Sequence, residues 1–277
     1  MFKWYGFLGI ILIILVELSF FIPITSIARI YFPLAWFSYI LIIDAIIYKI
    51  RGSSLISNRF GIFLGMVVIS SLFWDLFEFL NYAVKNWSYI GGDFWLSESA
   101  RRVYHMISFS TVLPAIFETF ELLRSLHLFD KIKLRKKHKI SKHFLLAIIY
   151  IGILMLPLTF LLPNFTYPLV WLAFFFILDP INYLHKQPSI MQHLKDRKLS
   201  IPISLLLAGI ICGFFWEFWN YWAPNKWVYN IPFIGFFKIF EMPILGYPGY
   251  FPFSFELYSM YFFVQSLFKK KERLLTK

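Results

Sequence analysis

The feature that most constrains this chain is a series of eight long apolar runs spread over its 277 residues. Each run is close to the roughly 20 residues that an α-helix needs to cross a hydrocarbon core. The runs are continuous instead of alternating, and backbone amides in lipid must be paired within their own segment, so helices are predicted and a β-barrel is not. The runs cover residues 5–22, 33–48, 60–80, 103–123, 144–162, 167–184, 201–222 and 248–268.

The composition agrees with a chain that is solvated by lipid. Hydrophobic residues make up 59% of the chain and charged residues only 15%, whereas a soluble domain has about 25% charged residues. The predicted fold class is therefore all-α, a polytopic membrane helix bundle of about eight transmembrane helices. Membrane lipids are its predicted partners.

The basic residues predict the orientation of the bundle. The net charge of +12 suggests nucleic acid at first, but eight spans would place 21 of the 27 Lys and Arg residues on one side. The positive-inside rule makes that side cytoplasmic, so a cell-membrane protein with both termini in the cytoplasm and no nucleic-acid partner is predicted. The basic run from Lys131 to Lys142 fits a topology determinant, with contact to anionic lipid head groups as the alternative.

The chain also contains an internal repeat that includes polar residues. Matches at Asp, Glu, Asn, Pro and Trp are a stronger sign of duplication than matches at Leu, Ile and Phe, which membrane sequences share by chance. The order of the matched segments is the same in both halves. The matches pair residues 31–48 with 167–183, residues 78–89 with 217–229, and the PxxFE segments 114–118 with 252–256.

The repeat predicts how the chain is organised. Residues 1–128 form a first four-helix repeat, residues 129–142 a basic cytoplasmic linker, and residues 143–277 a second four-helix repeat. Because each unit has an even number of spans, the copies share one orientation and are related by a pseudo-twofold axis along the membrane normal. A single site is then expected between the halves.

Carboxyl groups within the apolar runs are the candidate catalytic residues. An ionised Asp at the centre of a membrane helix costs about 2.5 to 3.5 kcal/mol, so several such groups need partners or a purpose. Burial that raises their pKa makes them general acids, and the alternative is that they are protonated and hydrogen-bonded between helices. The predicted proton donors or cation stabilisers are Glu78, Glu118, Glu217 and Glu256.

Aromatic and amide side chains near these acids are predicted to bind a hydrophobic small-molecule substrate. Ring faces stabilise a cationic ligand or intermediate, although Trp and Tyr also form belts at membrane interfaces. Glu78 and Asn81 are three residues apart, as are Glu217 and Asn220, so each pair projects from one side of its helix. The predicted substrate-binding residues are Asp44, Asp179, Asn81, Asn220, Trp74, Trp216, Tyr82 and Tyr221.

The segment from Asn230 to Tyr250 is too rich in Gly and Pro to be a simple span. It is predicted either to dip into the membrane as a re-entrant lid or to lie along the outer interface. No metal site is predicted, because the six His are isolated and lack zinc-ligand spacing. No cofactor is predicted either, because phosphate loops and nucleotide fingerprints are absent from the sequence.

Both halves contain an acid, then Trp-x-aromatic, then Pro followed shortly by Glu. This order resembles the heterodimer-type lycopene cyclase domain of carotenoid-synthesising prokaryotes, which implies an isoprenoid substrate and cyclase activity. The chain also resembles uncharacterised duplicated prokaryotic membrane proteins, which imply no known activity. The residues that carry the cyclase resemblance are Asp75 or Glu78, Trp87, Tyr89, Pro114 and Glu118, then Glu217, Trp227, Tyr229, Pro252 and Glu256.

The leading functional prediction is a membrane-embedded enzyme that acts on an isoprenoid or other lipid by acid–base catalysis. The main alternative is a secondary transporter or proton-coupled carrier, in which the paired acids relay protons at the repeat interface. The third possibility is a structural protein in which the buried acids form hydrogen bonds between helices.

Overall fold

The computed structural model describes residues 1–19, 21, 25–91, 97–136 and 139–268. This part of the chain is mostly helical. In chain order the elements are α1 (Trp4–Leu18), α2 (Thr25–Arg29), α3 (Tyr31–Arg51), α4 (Leu55–Asn58), α5 (Phe60–Val84), β1 (Trp87–Ile90), α6 (Glu98–Phe109), α7 (Val112–Ser125), α8 (Lys142–Leu161), α9 (Pro163–Thr166), a 3₁₀ turn (Tyr167–Trp171), α10 (Ala173–Leu184), α11 (Ile190–Lys195), α12 (Ser200–Trp222), β2 (Lys226–Tyr229), β3 (Lys238–Ile239), β4 (Met242–Pro243), a second 3₁₀ turn (Ile244–Gly249) and α13 (Tyr250–Leu267).

Six helices in the described residues are long and apolar enough to cross a membrane. They are compatible with an integral membrane protein. The first apolar run forms the shorter helix α1 and the last forms α13, and neither is among the six. Each of the eight runs overlaps a helix, but eight as the number of membrane spans stays a prediction. The six are Tyr31–Arg51, Phe60–Val84, Glu98–Ser125, Lys142–Leu161, Pro163–Leu184 and Ser200–Trp222.

Helices pack in a similar order on either side of the linker. Before the linker, α3 packs against α1 and α7, and α7 also packs against α5. After it, α10 packs against α8 and α13, and α13 also packs against α12. The two groups meet where α12 packs against α7. The buried Trp36 of α3 also contacts Trp216 and Trp219 of α12 there, with ring centroids 5.3 Å and 4.9 Å away.

The close approach of α12 and α13 depends on two glycines. Gly209 and Gly213 lie four residues apart on α12, a spacing that places them on one face and lets membrane helices come together. A Cβ atom at Gly213 would lie 2.4 Å from Cδ2 of Tyr250, and one at Gly209 would lie 2.5 Å from the Tyr250 carbonyl oxygen. Tyr250 therefore sits in a groove that only glycine leaves open.

One helix is continuous before the linker and broken after it. Helix α3 runs unbroken from Tyr31 to Arg51, whereas the matching segment consists of the 3₁₀ turn and α10. Leu172, between them, has a φ of −131° and leaves the helical conformation. The Phe174 N–H at the start of α10 donates to Glu256 Oε1 over 2.9 Å. Glu256 therefore pairs one of the amides that a helix N-terminus leaves free.

Strands β1 and β2 join the two halves. They are antiparallel, with Trp87 opposite Tyr229 and Tyr89 opposite Trp227. Gly91 follows β1 with a φ of +83°, and a Cβ atom there would lie 2.1 Å from the Pro224 carbonyl oxygen. Glycine is needed at this position both for its conformation and for the close approach of the two loops.

The basic linker docks on the second half. The Leu134 N–H donates to the Arg197 carbonyl oxygen over 3.1 Å, and Arg197 Nε donates to the Leu134 carbonyl oxygen over 2.7 Å. These bonds hold the linker against the turn that precedes α12. Residues 137–138 of the predicted linker lie outside the described residues, as do residues 269–277.

Candidate functional site

A cavity of about 250 Å³ lies beside the β1–β2 pair and is lined by both halves of the chain. Its wall is mainly aromatic. Among the described residues, the lining includes five tryptophans and five tyrosines, with His105 and Asn225 among the few polar side chains. The tryptophans are Trp74, Trp87, Trp171, Trp216 and Trp227.

Glu78 lies behind the part of this wall that the first half supplies. Trp74 precedes it by one helical turn, so its Nε1–H reaches Glu78 Oε1 at 2.9 Å. Strand β1 brings two more donors to the same oxygen, Trp87 Nε1–H at 3.0 Å and the Tyr89 hydroxyl at 2.5 Å. Three side chains of the cavity wall are therefore held by one carboxyl group.

Glu217 has the matching place in the second half and is fully buried. Its Oε1 accepts hydrogen bonds from the Tyr229 hydroxyl at 2.7 Å and the Tyr250 hydroxyl at 2.6 Å. Its Oε2 has no hydrogen-bond partner among the described residues. Both tyrosines line the cavity, so Glu217 contacts the phenol groups of two residues of the cavity wall.

The strand tyrosines keep their protons at neutral pH. Burial and the neighbouring Glu78 carboxyl raise the pKa of the Tyr89 hydroxyl well above its usual value. Burial and Glu217 raise the pKa of the Tyr229 hydroxyl in the same way. Both phenols are therefore hydrogen-bond donors, and the two glutamates are the acceptors.

The two predicted amide residues bind backbone instead of facing the cavity. Asn81 Nδ2 donates to the Trp87 carbonyl oxygen over 2.8 Å, and Asn220 Nδ2 donates to the Trp227 carbonyl oxygen over 2.8 Å. The Trp227 N–H in turn donates to Asn220 Oδ1 over 2.9 Å. These asparagines hold each strand against the end of the helix that precedes it.

Replacing Asn220 by Ala is expected to lower the free energy of unfolding by about 2 to 4 kcal/mol, because two backbone groups of Trp227 lose a buried partner. Thermal unfolding in detergent measures the change. Tyr221→Phe is the control, because the exposed Tyr221 ring is kept in that variant. Equal stability of Asn220→Ala and the control would contradict the assigned role.

The remaining predicted substrate-binding residues fall into separate groups. Trp74 and Trp216 line the cavity. Tyr82 and Tyr221 are 81% and 40% exposed and lie on the outside of the bundle. The structure therefore does not bring these two tyrosines to the other candidate residues.

Asp44 and Asp179 each hold the start of a short helix. The N–H of Ile56 donates to Asp44 over 2.8 Å, and the N–H groups of Ile190 and Met191 donate to Asp179 over 2.6 Å and 3.0 Å. Both carboxyl groups are fully buried. Their contacts are those of side chains that pair free amides of helices α4 and α11.

Sequence reasoning missed two serines that complete these turns. Ser54 caps α4 and Ser189 caps α11, and each side chain accepts from an N–H three residues later. Each serine follows its aspartate, Asp44 or Asp179, by ten residues. That shared spacing was a readable signal, because Ser is a preferred N-cap residue.

Sequence reasoning also missed much of the cavity wall. Tyr250 comes from the end of the Gly- and Pro-rich segment, and Met242 and Leu245 of the same segment line the cavity as well. The segment forms the β3–β4 pair and a 3₁₀ turn. At its edge Lys226 Nζ lies 2.6 Å from Glu241 Oε1.

Glu118 and Glu256 are not among the described residues that line the cavity. Glu256 Oε1 is occupied by the amide of Phe174. Glu118 is 1% exposed, and neither of its carboxyl oxygens has a hydrogen-bond partner among the described residues. The four predicted catalytic acids therefore occupy different environments, and only Glu78 and Glu217 contact the cavity wall.

Within the described chain, no three His, Cys, Asp or Glu side chains lie together as a metal-binding group.

Comparison of the chain with protein-family models, curated proteins and solved structures finds no match.

Proposed function

We propose that the chain is an integral membrane enzyme that acts on an isoprenoid or another lipid by acid–base catalysis in the aromatic cavity. The observation that carries this proposal is the convergence of wall tyrosines and tryptophans on two carboxyl groups, Glu78 and Glu217. Such a wall offers a ligand both apolar surface and proton donors.

The aromatic wall suits a reaction that passes through a cation. Ring faces attract positive charge, and the attraction strengthens where water is excluded. The carboxyl groups behind the rings add negative potential from both sides. A cation that develops on an apolar substrate is thereby stabilised without a charged residue in direct contact with it.

The phenol–carboxyl pairs supply the proton chemistry. Tyr229 and Tyr250 face the cavity, and both donate to Glu217. A proton that leaves the substrate cation is taken by one of these phenol oxygens, while the phenol proton passes along its hydrogen bond to Glu217, which becomes a neutral carboxylic acid. The reverse transfer delivers a proton to the next substrate. Glu118 and Glu256 take no part in this proton transfer, and Asp44 and Asp179 stabilise the fold.

The proposed architecture is a pair of tandem repeats in the cell membrane, with a pseudo-twofold axis along its normal and both termini in the cytoplasm. It is supported by contacts that occur in both halves. Asn81 and Asn220 bind corresponding strands, and Asp44 and Asp179 bind corresponding turns. The basic linker is then cytoplasmic, with membrane lipids as the surrounding partners.

The experiment incubates the purified protein in detergent with a lipid extract and follows product by mass spectrometry. Tyr250→Phe and Glu217→Gln are expected to lose turnover by at least about 100-fold, because general acid–base catalysis contributes about 100-fold or more. Asp75→Asn is the control, because Asp75 is exposed on the helix that carries Glu78. Melting temperatures establish that the variants are folded.

Two results would overturn the enzymatic proposal. One is full turnover in both variants. The other is an unchanged lipid extract together with solute or proton movement in proteoliposomes, which would favour the proton-coupled carrier. The buried Glu118, whose oxygens lack partners in the described structure, is the observation that favours that second candidate.

A further inference from the structure

A second polar site lies apart from the aromatic cavity, where helices α1, α3, α4 and α7 meet. Its centre is the pair Asp44 and Glu118, which are 0% and 1% exposed. Asp44 lies 12 residues further along α3 than the cavity residue Phe32, which is about 18 Å along a helix axis. The aromatic cavity and this acid pair are therefore separate places in the bundle.

Asp44 is surrounded by hydrogen-bond donors. Its Oδ1 accepts from the Tyr5 hydroxyl at 2.5 Å and from the Ser54 hydroxyl at 2.7 Å, and its Oδ2 accepts from the Ile56 N–H at 2.8 Å. Three hydrogen-bond donors therefore converge on one buried carboxyl group.

Glu118 has the opposite surroundings. Neither of its oxygens meets a hydrogen-bond donor in the described part of the chain, but its carboxyl lies within side-chain hydrogen-bonding range of the Asp44 carboxyl and also interacts electrostatically with Glu121. A buried carboxylate without donors, beside a second carboxylate, bears the full cost of desolvation and of repulsion. A neutral carboxylic acid avoids both, because its O–H then faces the Asp44 carboxylate.

Cations near the pair are already engaged. Arg51 Nη1 lies 2.8 Å from Glu121 Oε2, so this guanidinium is paired with Glu121. Arg59 and Arg124 also act on Glu121. Among the described residues, the titratable groups that interact with the pair are Tyr5 of α1 with Asp44, and Tyr39 of α3 and Glu121 of α7 with Glu118.

Glu121 lies between Glu118 and the linker end of α7. It follows Glu118 by three residues, so both side chains project from the same side of α7. Glu121 is 3% exposed and its partner Arg51 is 16% exposed. A proton entering at the linker end of α7 meets Glu121 before it meets Glu118.

We propose that Glu118 is a proton-binding site in the bundle, which holds one exchangeable proton between itself and Asp44. The matching residue Glu256 differs, because its Oε1 accepts the Phe174 N–H. The site is therefore specific to the first half. The proposal does not depend on the enzymatic function assigned to the aromatic cavity.

A hydrophobic carbodiimide tests the proposal, because it reacts with protonated carboxyl groups in apolar surroundings and not with carboxylates. The full-length protein in detergent is treated with dicyclohexylcarbodiimide between pH 6 and pH 9, and the modified residue is located by peptide mass spectrometry. Glu118 is expected to be the main modified residue at pH 7, and Glu118→Gln is expected to lose that label. Above the titration point, labelling should fall by about tenfold per pH unit.

Two variants make the result decisive. Asp44→Asn removes the neighbouring negative charge, so the fall in labelling is expected at a pH at least one unit lower than in the unmodified chain. Glu256→Gln is expected to leave labelling of Glu118 unchanged, which controls for loss of a buried acid. Labelling of Glu118 no faster than that of Glu256, or labelling independent of pH, would overturn the proposal. These labelling measurements do not depend on lipid turnover. The proton-binding proposal and the enzymatic proposal are therefore tested independently.

Discussion

Replacing Gly213 by Ala is expected to lower the free energy of unfolding by about 2 to 3 kcal/mol, the cost of overpacking a close contact. The new Cβ atom would lie 2.4 Å from Cδ2 and 2.6 Å from Cγ of Tyr250. The Tyr250 ring must therefore move by about 1 Å to reach ordinary contact distance, and its hydroxyl is expected to leave Glu217. Turnover is expected to fall at least tenfold in the same variant.

Thermal unfolding and lipid turnover in detergent measure the two effects. Gly65→Ala is the matched control, because Gly65 is also helical and has no atom within 4 Å of a Cβ placed there. That substitution is expected to be neutral or to stabilise α5 by up to about 1 kcal/mol, since Ala favours helix over Gly. Equal stability and equal turnover of Gly213→Ala and the control would contradict the close packing of α12 against α13.

Replacing Asp179 by Ala is expected to destabilise the chain by about 3 to 5 kcal/mol. The carboxyl group is fully buried and accepts from the Ile190 and Met191 N–H groups, with the Ser259 hydroxyl at 3.2 Å. Loss of Asp179 leaves these donors buried without their acceptor, at about 1 to 3 kcal/mol each.

Unfolding midpoints in a denaturing detergent series measure this loss. Asp196→Ala is the control, because Asp196 is exposed at the end of the same turn and accepts from Gln192 Nε2. Asp179→Asn keeps one acceptor oxygen and is expected to fall between the two. An Asp179→Ala variant as stable as the control would show that Asp179 does not hold helix α11.

The helices were predictable because lipid offers the backbone no hydrogen-bond partners. Backbone amides must be paired in the segment that contains them, so each continuous apolar run predicts a helix. The break between Thr166 and Ala173 was not predictable in this way. The matching segments share Pro, Trp, Asp and Tyr at the same spacing, yet α3 is continuous and its counterpart is not. The difference involves Glu256, which reaches α10 from a distant helix.

The candidate site was predictable where local spacing fixes it. Glu78 and Trp74 are one turn apart on α5, so their contact follows from helix geometry. Tyr250 and Trp171 reach the cavity through tertiary packing, and no local pattern marks them. The repeat also suggested one role for Glu118 and Glu256, but matching positions meet different neighbours in the two halves.

The antiparallel register of β1 and β2 restricts how the halves can move. Sliding β1 by a single residue would reverse the side on which its rings project. Trp87 would then leave the cavity, and Glu78 would lose two of its three donors. The strand pair therefore holds the two halves in one register at the end of the bundle that contains the cavity.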